Sequence, residues 1–164
     1  TRTFAMSQNK TVKINYIGNN VKMDVFYIET VYNILIELLK NSVEHGFSDS
    51  DSVKSEITVK FFENGNYTSI EISDNGKGFD YDSLIKTAKQ KGIIDDSEIS
   101  NINELFFDML VMLNYTAQVK AKRGRGFKNV KNLLEKVNGN IRFKVKNVKG
   151  VHITLNIPLY KKIV

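Results

Sequence analysis

Residues 31–45 read VYNILIELLKNSVEH, an apolar stretch of several helical turns broken on one side by Glu37, Asn41 and His45. Each helical residue advances by ~100°, so with Glu37 at the origin Asn41 falls at ~40° and His45 at ~80°. On the same wheel Ile34 stands at ~60° and Leu38 at ~100°. A carboxylate, an amide and an imidazole therefore line the margin of the face that must pack inward. Buried polar groups cost free energy unless they find partners. The stretch is either a slightly polar core helix or one wall of a site, and by itself it does not decide between them.

The 164 residues suit one domain around a single core. Hydrophobic residues at 41% and charged residues at 26% describe an ordinary globular chain. No apolar run approaches the ~20 residues of a membrane-spanning helix, and no secretory signal pattern is present. With no Cys, disulfides and thiolate metal sites are excluded, which fits a reducing, cytoplasmic setting. The chain begins at Thr1 without a Met, so it is expected to be a domain excised from a longer protein. The net charge of +6 would suit nucleic acid, but the lysines are scattered rather than striped. A phosphate-binding pocket on a Lys-rich surface explains the charge equally well, and no nucleic-acid partner is expected.

Alternation of apolar and polar residues predicts a strand over 10–17, with Asn19-Asn20 as a turn and 21–25 pairing back on it. A long helix follows over about 26–45, stopped by Gly46. Strands over 56–63 and 67–73 flank the turn Asn64-Gly65-Asn66. A short helix is expected at 81–90, an apolar one at 102–113, a basic loop at 114–123 and a third helix at 126–137. A hairpin over 140–145 and 151–159 closes the chain. These elements make an α+β two-layer sandwich, with helices on one face of a mixed, mostly antiparallel sheet.

Two loops carry possible chemistry. Asp74-Asn-Gly-Lys-Gly78 ends a strand on an acidic residue and enters a turn with two glycines. An Asp there can accept a hydrogen bond from the N6 amino group of adenine, and Gly76 and Gly78 let backbone approach a flat base. The same residues would also make an ordinary turn. Arg123-Gly-Arg-Gly126 stands directly before a helix, where backbone N–H groups and arginines favour an anionic phosphate chain. It lacks the Gly-Lys-Ser/Thr ending of a P-loop. A flexible basic loop would read the same way.

The order of these features is more specific than any one of them. A polar helix, an Asp-x-Gly-x-Gly loop after a strand, a Gly-x-Gly loop before a helix and a terminal hairpin resemble the GHKL, or Bergerat-fold, ATPases. That group includes histidine kinases, gyrase-type topoisomerases and related chaperones, and these stretches correspond to its N, G1 and G2 boxes. The flanking sequence is similar to the ATP-binding domain of CheA-type chemotaxis histidine kinases: NKTVKINYIG at 9–18, NSVEHG at 41–46, AKQKGII at 88–94, Tyr115-Thr-Ala117, KNLLEKVNG at 131–139 and Ile157-Pro-Leu159. The resemblance covers nearly the whole chain and implies one GHKL ATP-binding domain over 1–164.

By position, the resemblance implies ATP and Mg²⁺ as cofactors, with Asn41 on the metal and Asp74 on adenine. Gly76 and Gly78 would shape the base pocket. Gly124 and Gly126 would let a lid close over the phosphates. Lys40, His45, Thr116 and Arg125 would stand along the phosphate chain or lid, and Glu37 would take the general-base position. Implied partners are a phosphoacceptor histidine domain, indirectly a response regulator, and a receptor and coupling-protein assembly. CheA-type kinases carry a His where this chain has Glu37. Lys122 and Arg125 replace a glycine and an apolar residue, the lid over 116–124 is a few residues short, and Gly150-Val151-His152 replaces Gly-Thr-Thr. The alternatives are a GHKL ATPase or serine kinase using the Glu37 carboxylate, and a degenerate nucleotide-binding scaffold. Of the two histidines, His152 is expected on a strand as a satisfied or surface group.

Overall fold

The computed structural model describes residues 2–6, 10–18, 20–47, 55–115, 126–145 and 148–160. The strands are β1 (Arg2–Met6), β2 (Lys10–Ile17), β3 (Ser55–Asn64), β4 (Tyr67–Asp74), β5 (Asn140–Phe143) and β6 (His152–Pro158). They form one sheet in the order β1-β2-β3-β4-β6-β5. Only β2 and β3 run parallel; every other neighbouring pair is antiparallel. The helices are α1 (Val25–Gly46), α2 (Tyr81–Gln90), α3 (Ile102–Met112) and α4 (Gly126–Lys136), with a 3-10 turn over Asp96–Asn101.

Strand period and register place the core. Ile57 and Val59 of β3 lie opposite Asp74 and Ile72 of β4. Ile70 and Ile72 lie opposite Leu155 and Ile153 of β6. These apolar residues are buried, and α1 covers them with Tyr27, Val31, Ile34 and Leu38, which recur at helical spacing. The other face of the sheet carries Lys60, Glu71, Thr154 and Arg142. On that face Ser69 is deeply buried and donates its hydroxyl to Asn156 Oδ1 at 2.6 Å. The α+β sandwich expected from the sequence is therefore the observed architecture.

One expected pairing is replaced. Residues 21–24 do not return along β2; that antiparallel place belongs to β1. The Lys22 carbonyl accepts from the Thr68 hydroxyl, and its N–H donates to Glu63 Oε1 at 3.3 Å, so this segment is tied to the β3–β4 hairpin instead. Asp24 then caps α1, its carboxylate accepting from Phe26 N at 3.0 Å. The 3-10 turn was not expected either. It starts on a capping box in which Asp95 and Glu98 exchange hydrogen bonds. The Ser97 hydroxyl bond, followed by its backbone N–H, holds the Asp95 carboxyl below the usual range.

Between the sheet and helices α3 and α4 lies an aromatic group. Phe79 meets Phe106 edge-on at 5.1 Å and Tyr115 at 5.6 Å, and Phe143 stacks on Phe107 at 6.1 Å. Phe127 of α4 joins it through Phe143 at 6.2 Å. Rings from a loop, two helices and a strand thus share one cluster, which fixes the position of α4 relative to the sheet.

Candidate functional site

Asp74 is the last residue of β4, and the strand's alternation turns it inward with Ile70 and Ile72. It is 5% exposed. Its Oδ1 accepts from Gly76 N at 3.0 Å and Val151 N at 3.1 Å, while its own N–H donates to Val151 O at 3.0 Å. Its Oδ2 is buried and has no hydrogen-bond partner. A buried unsatisfied polar atom costs about 1–3 kcal/mol. The fold thus fixes one carboxyl oxygen through two backbone donors and leaves the other without a protein donor.

The loop after Asp74 is fastened on both sides. Asn75 and Glu56 form a reciprocal pair: Glu56 N donates to Asn75 Oδ1 at 2.9 Å and Asn75 N donates to Glu56 O at 3.2 Å. Lys13 and Asn15 of β2 hold the Glu56 carboxylate at 2.8 and 2.6 Å. Lys77 N donates to the Gly46 carbonyl at 2.9 Å. A β-carbon on Gly76 would come 2.7 Å from the Gly46 carbonyl carbon, so only glycine fits there. Gly78 has φ +70° and packs on Gly150, itself at φ +75°.

Helix α1 meets two other elements of the site. Asn41 is partly buried and its Nδ2 has no partner; a β-carbon at Gly126 would lie 3.4 Å from its Oδ1. Just over a turn later, a β-carbon at Gly46 would lie 3.7 Å from Asp74 Oδ1. Asn41, Asp74, Gly76 and Gly126, separated in sequence, are brought together by this helix. Glu37 sits partly buried one turn before Asn41, and Lys40 is exposed beside it. His45 lies in α1, but its side chain is outside the described residues, as are Thr116, Lys122, Gly124 and Arg125.

Three supports were not singled out from sequence as site residues. Gly46, read as a helix stop, contributes its carbonyl to the loop, and Val151, read as a hairpin residue, contributes its N–H to Asp74. Asn75 is the third. Backbone partners of this kind leave no residue-type signal. Thr154, the hydroxyl-bearing residue nearest to Val151 on β6, pairs with Glu71 on the face of the sheet opposite Asp74. His152 bears out its expected role, its Nε2 donating to Lys149 O at 3.2 Å.

The described residues hold no cluster of three His, Cys, Asp or Glu side chains that could bind a metal by themselves. A divalent cation here would need oxygens from a ligand. Mg²⁺ accepts that arrangement, since it retains waters and takes few protein ligands when phosphates bridge it. The Asn41 amide oxygen, which faces Gly126, could serve such a cation, and its unpartnered nitrogen could donate to a phosphate oxygen.

An acceptor at the end of β4, the polar margin of α1 and a glycine opening α4 meet on one face of an α+β sandwich. The chain belongs to the histidine kinase-, DNA gyrase B- and HSP90-like ATPase family, whose model matches residues 27–161. It is similar to the chemotaxis protein CheA of Bacillus subtilis, at 23% identity over 95% of this chain and 25% of that protein. Against CheA of Listeria monocytogenes the figures are 25% identity, 99% of this chain and 28% of the relative. The chain thus spans about a quarter of the length of these curated relatives. Its fold is shared with the histidine kinase domain of the Erythrobacter litoralis EL346 blue-light activated kinase. The TM-score is 0.56 at 15% identity, over 90% of this chain and 52% of that one. No helix among the described residues is long and apolar enough to cross a membrane.

Proposed function

We propose that this chain is the ATP-binding domain of a CheA-like histidine kinase, which binds Mg-ATP and donates the γ-phosphoryl group to a histidine on a separate domain or protein. The observation that carries the reading is Asp74: one carboxyl oxygen doubly held by backbone, the other buried and open to a donor. The N6 amino group of adenine is such a donor. Asn41 would supply an oxygen to Mg²⁺, which in turn would neutralise charge on the phosphates. Gly76 and Gly78 keep the base pocket open to backbone approach. Gly126, with Gly124, Thr116 and Arg125, would close over the phosphates, and Lys40 and His45 would stand near them. Glu37 would act as the general base toward the attacking imidazole.

On this reading the domain serves a longer cytoplasmic kinase, whose phosphoacceptor histidine passes the group to a response regulator within a receptor and coupling-protein assembly. The test is calorimetric titration of ATP with and without Mg²⁺ on wild type and Asp74→Ala. It is followed by phosphoryl transfer from labelled ATP to a histidine-bearing domain of a CheA-like protein. Mg-dependent binding lost in the variant supports the pocket, and labelled histidine supports the activity. No binding by wild type would leave a scaffold module as the reading.

Glu37 favours a second reading. A carboxylate one turn before Asn41 also suits activation of water. Steady phosphate release by the domain alone, abolished in Glu37→Ala, would mark it as a hydrolytic GHKL ATPase.

A further inference from the structure

A cavity of about 330 Å³ opens between the loop after β4 and the β5–β6 hairpin. It adjoins the site above, with Gly78 and Val151 common to both, but none of Asn41, Asp74, Gly76 or Gly126 lines it. Lys77, Lys144, Lys149 and His152 stand around it, and Phe143 and Val148 form part of its apolar lining. Among the described residues, no acidic side chain lines it. Three ammonium groups at one concavity repel one another, and an anion placed among them relieves that repulsion. The volume lies in the range of small-molecule sites, and the mixture of an apolar surface with a few polar groups is their usual make-up.

We infer that this cavity binds a small organic anion with an apolar, preferably aromatic, body. Its acidic group would sit among Lys77, Lys144 and Lys149, and its body against Phe143 and Val148. The wall between this cavity and Asp74 is thin. A β-carbon on Gly78 would lie 2.8 Å from Gly150 O, and the next residue, Val151, is the one that bonds Asp74.

The probe is 8-anilinonaphthalene-1-sulfonate, followed by its fluorescence on the folded chain. The expected result is one saturable site that ATP does not displace and that survives Asp74→Ala. Lys144→Gln/Lys149→Gln should weaken it at least tenfold, and Lys144→Glu/Lys149→Glu should abolish it, with melting temperatures near wild type. Benzoate should compete with the dye. Dye binding unchanged in both double variants, or displaced by ATP, overturns the inference. So does competition by inorganic phosphate but not by benzoate, which would mean that the apolar lining takes no part. Because the dye is read without nucleotide, failure of ATP binding and failure of this site remain distinguishable.

Discussion

Gly76 lies against the carbonyl of Gly46, so near that a β-carbon on it would come 2.7 Å from the Gly46 carbonyl carbon. The next residue, Lys77, donates its N–H to that same carbonyl. Neither backbone can move without breaking the other's position. Gly76→Ala should therefore cost about 1–3 kcal/mol of stability, in the manner of an overpacked core. It should also lower ATP affinity by shifting the loop from Asp74. Urea unfolding and calorimetry would show both effects, and an unchanged unfolding midpoint would refute the contact.

Asp74→Asn separates the two carboxyl oxygens. An amide oxygen can still accept from Gly76 and Val151, but an NH₂ group would replace the open acceptor. Two donors would then face each other in an adenine complex. ATP affinity should fall at least tenfold, ~1.4 kcal/mol, with the fold intact. Retained affinity would mean that Oδ2 does not face the base. The check is titration alongside a thermal melt.

Asn75 acts through Glu56. Asn75→Ala deletes the acceptor for Glu56 N and should cost about 0.5–1.5 kcal/mol, since that N–H is only part-buried and water can replace part of the loss. Faster hydrogen exchange at Glu56 and Lys77, with distant core amides unchanged, is the expected signature. Uniform acceleration would instead indicate global destabilisation.

Phe106 is fully buried among Phe79, Tyr81 and Phe143. Phe106→Ala should cost about 3–5 kcal/mol. Phe106→Leu should recover most of it. Chemical denaturation of both variants tests the order, and equal losses would argue against a packing origin.

Alkaline pH should weaken the fold through two groups. Burial pushes the Tyr115 hydroxyl above its ordinary value of 10.0. The hydrogen bond to Asp108 raises the Lys131 ammonium above 10.5, and that 2.7 Å ion pair joins α4 to α3. Both groups hold their protons more tightly folded than unfolded. Their contribution is complete below the ordinary values and is lost as pH rises through the folded ones. The Lys131 pair is partly exposed, so its share is small, under ~1 kcal/mol. Unfolding midpoints of wild type should fall more steeply above about pH 10 than those of Tyr115→Phe/Lys131→Met. Parallel slopes would exclude both groups.

The sheet and helices were largely legible because periodicity is written in side chains: Tyr27, Val31, Ile34 and Leu38 announce α1, and Ile70, Ile72 and Asp74 announce the inward face of β4. Asn41, Asp74 and Gly126 were named as site candidates on other grounds: the order of the motifs along the chain and the family resemblance those motifs carry. What the sequence concealed was made by backbone. The Gly46 carbonyl and the Val151 N–H belong to every residue type alike, so no pattern marks them. The misplaced return of 21–24 has a related cause: Val21 and Met23 alternate as a strand would, but Thr68 and Glu63 claim the backbone of Lys22 first.

The bond from Val151 to Asp74 spans 77 residues, and β6 is the last strand among the described residues. The acceptor is therefore completed only after the final hairpin has been synthesised and docked. A nascent or truncated chain carrying α1, β3 and β4 would own Asn41 and Asp74 yet lack a finished pocket.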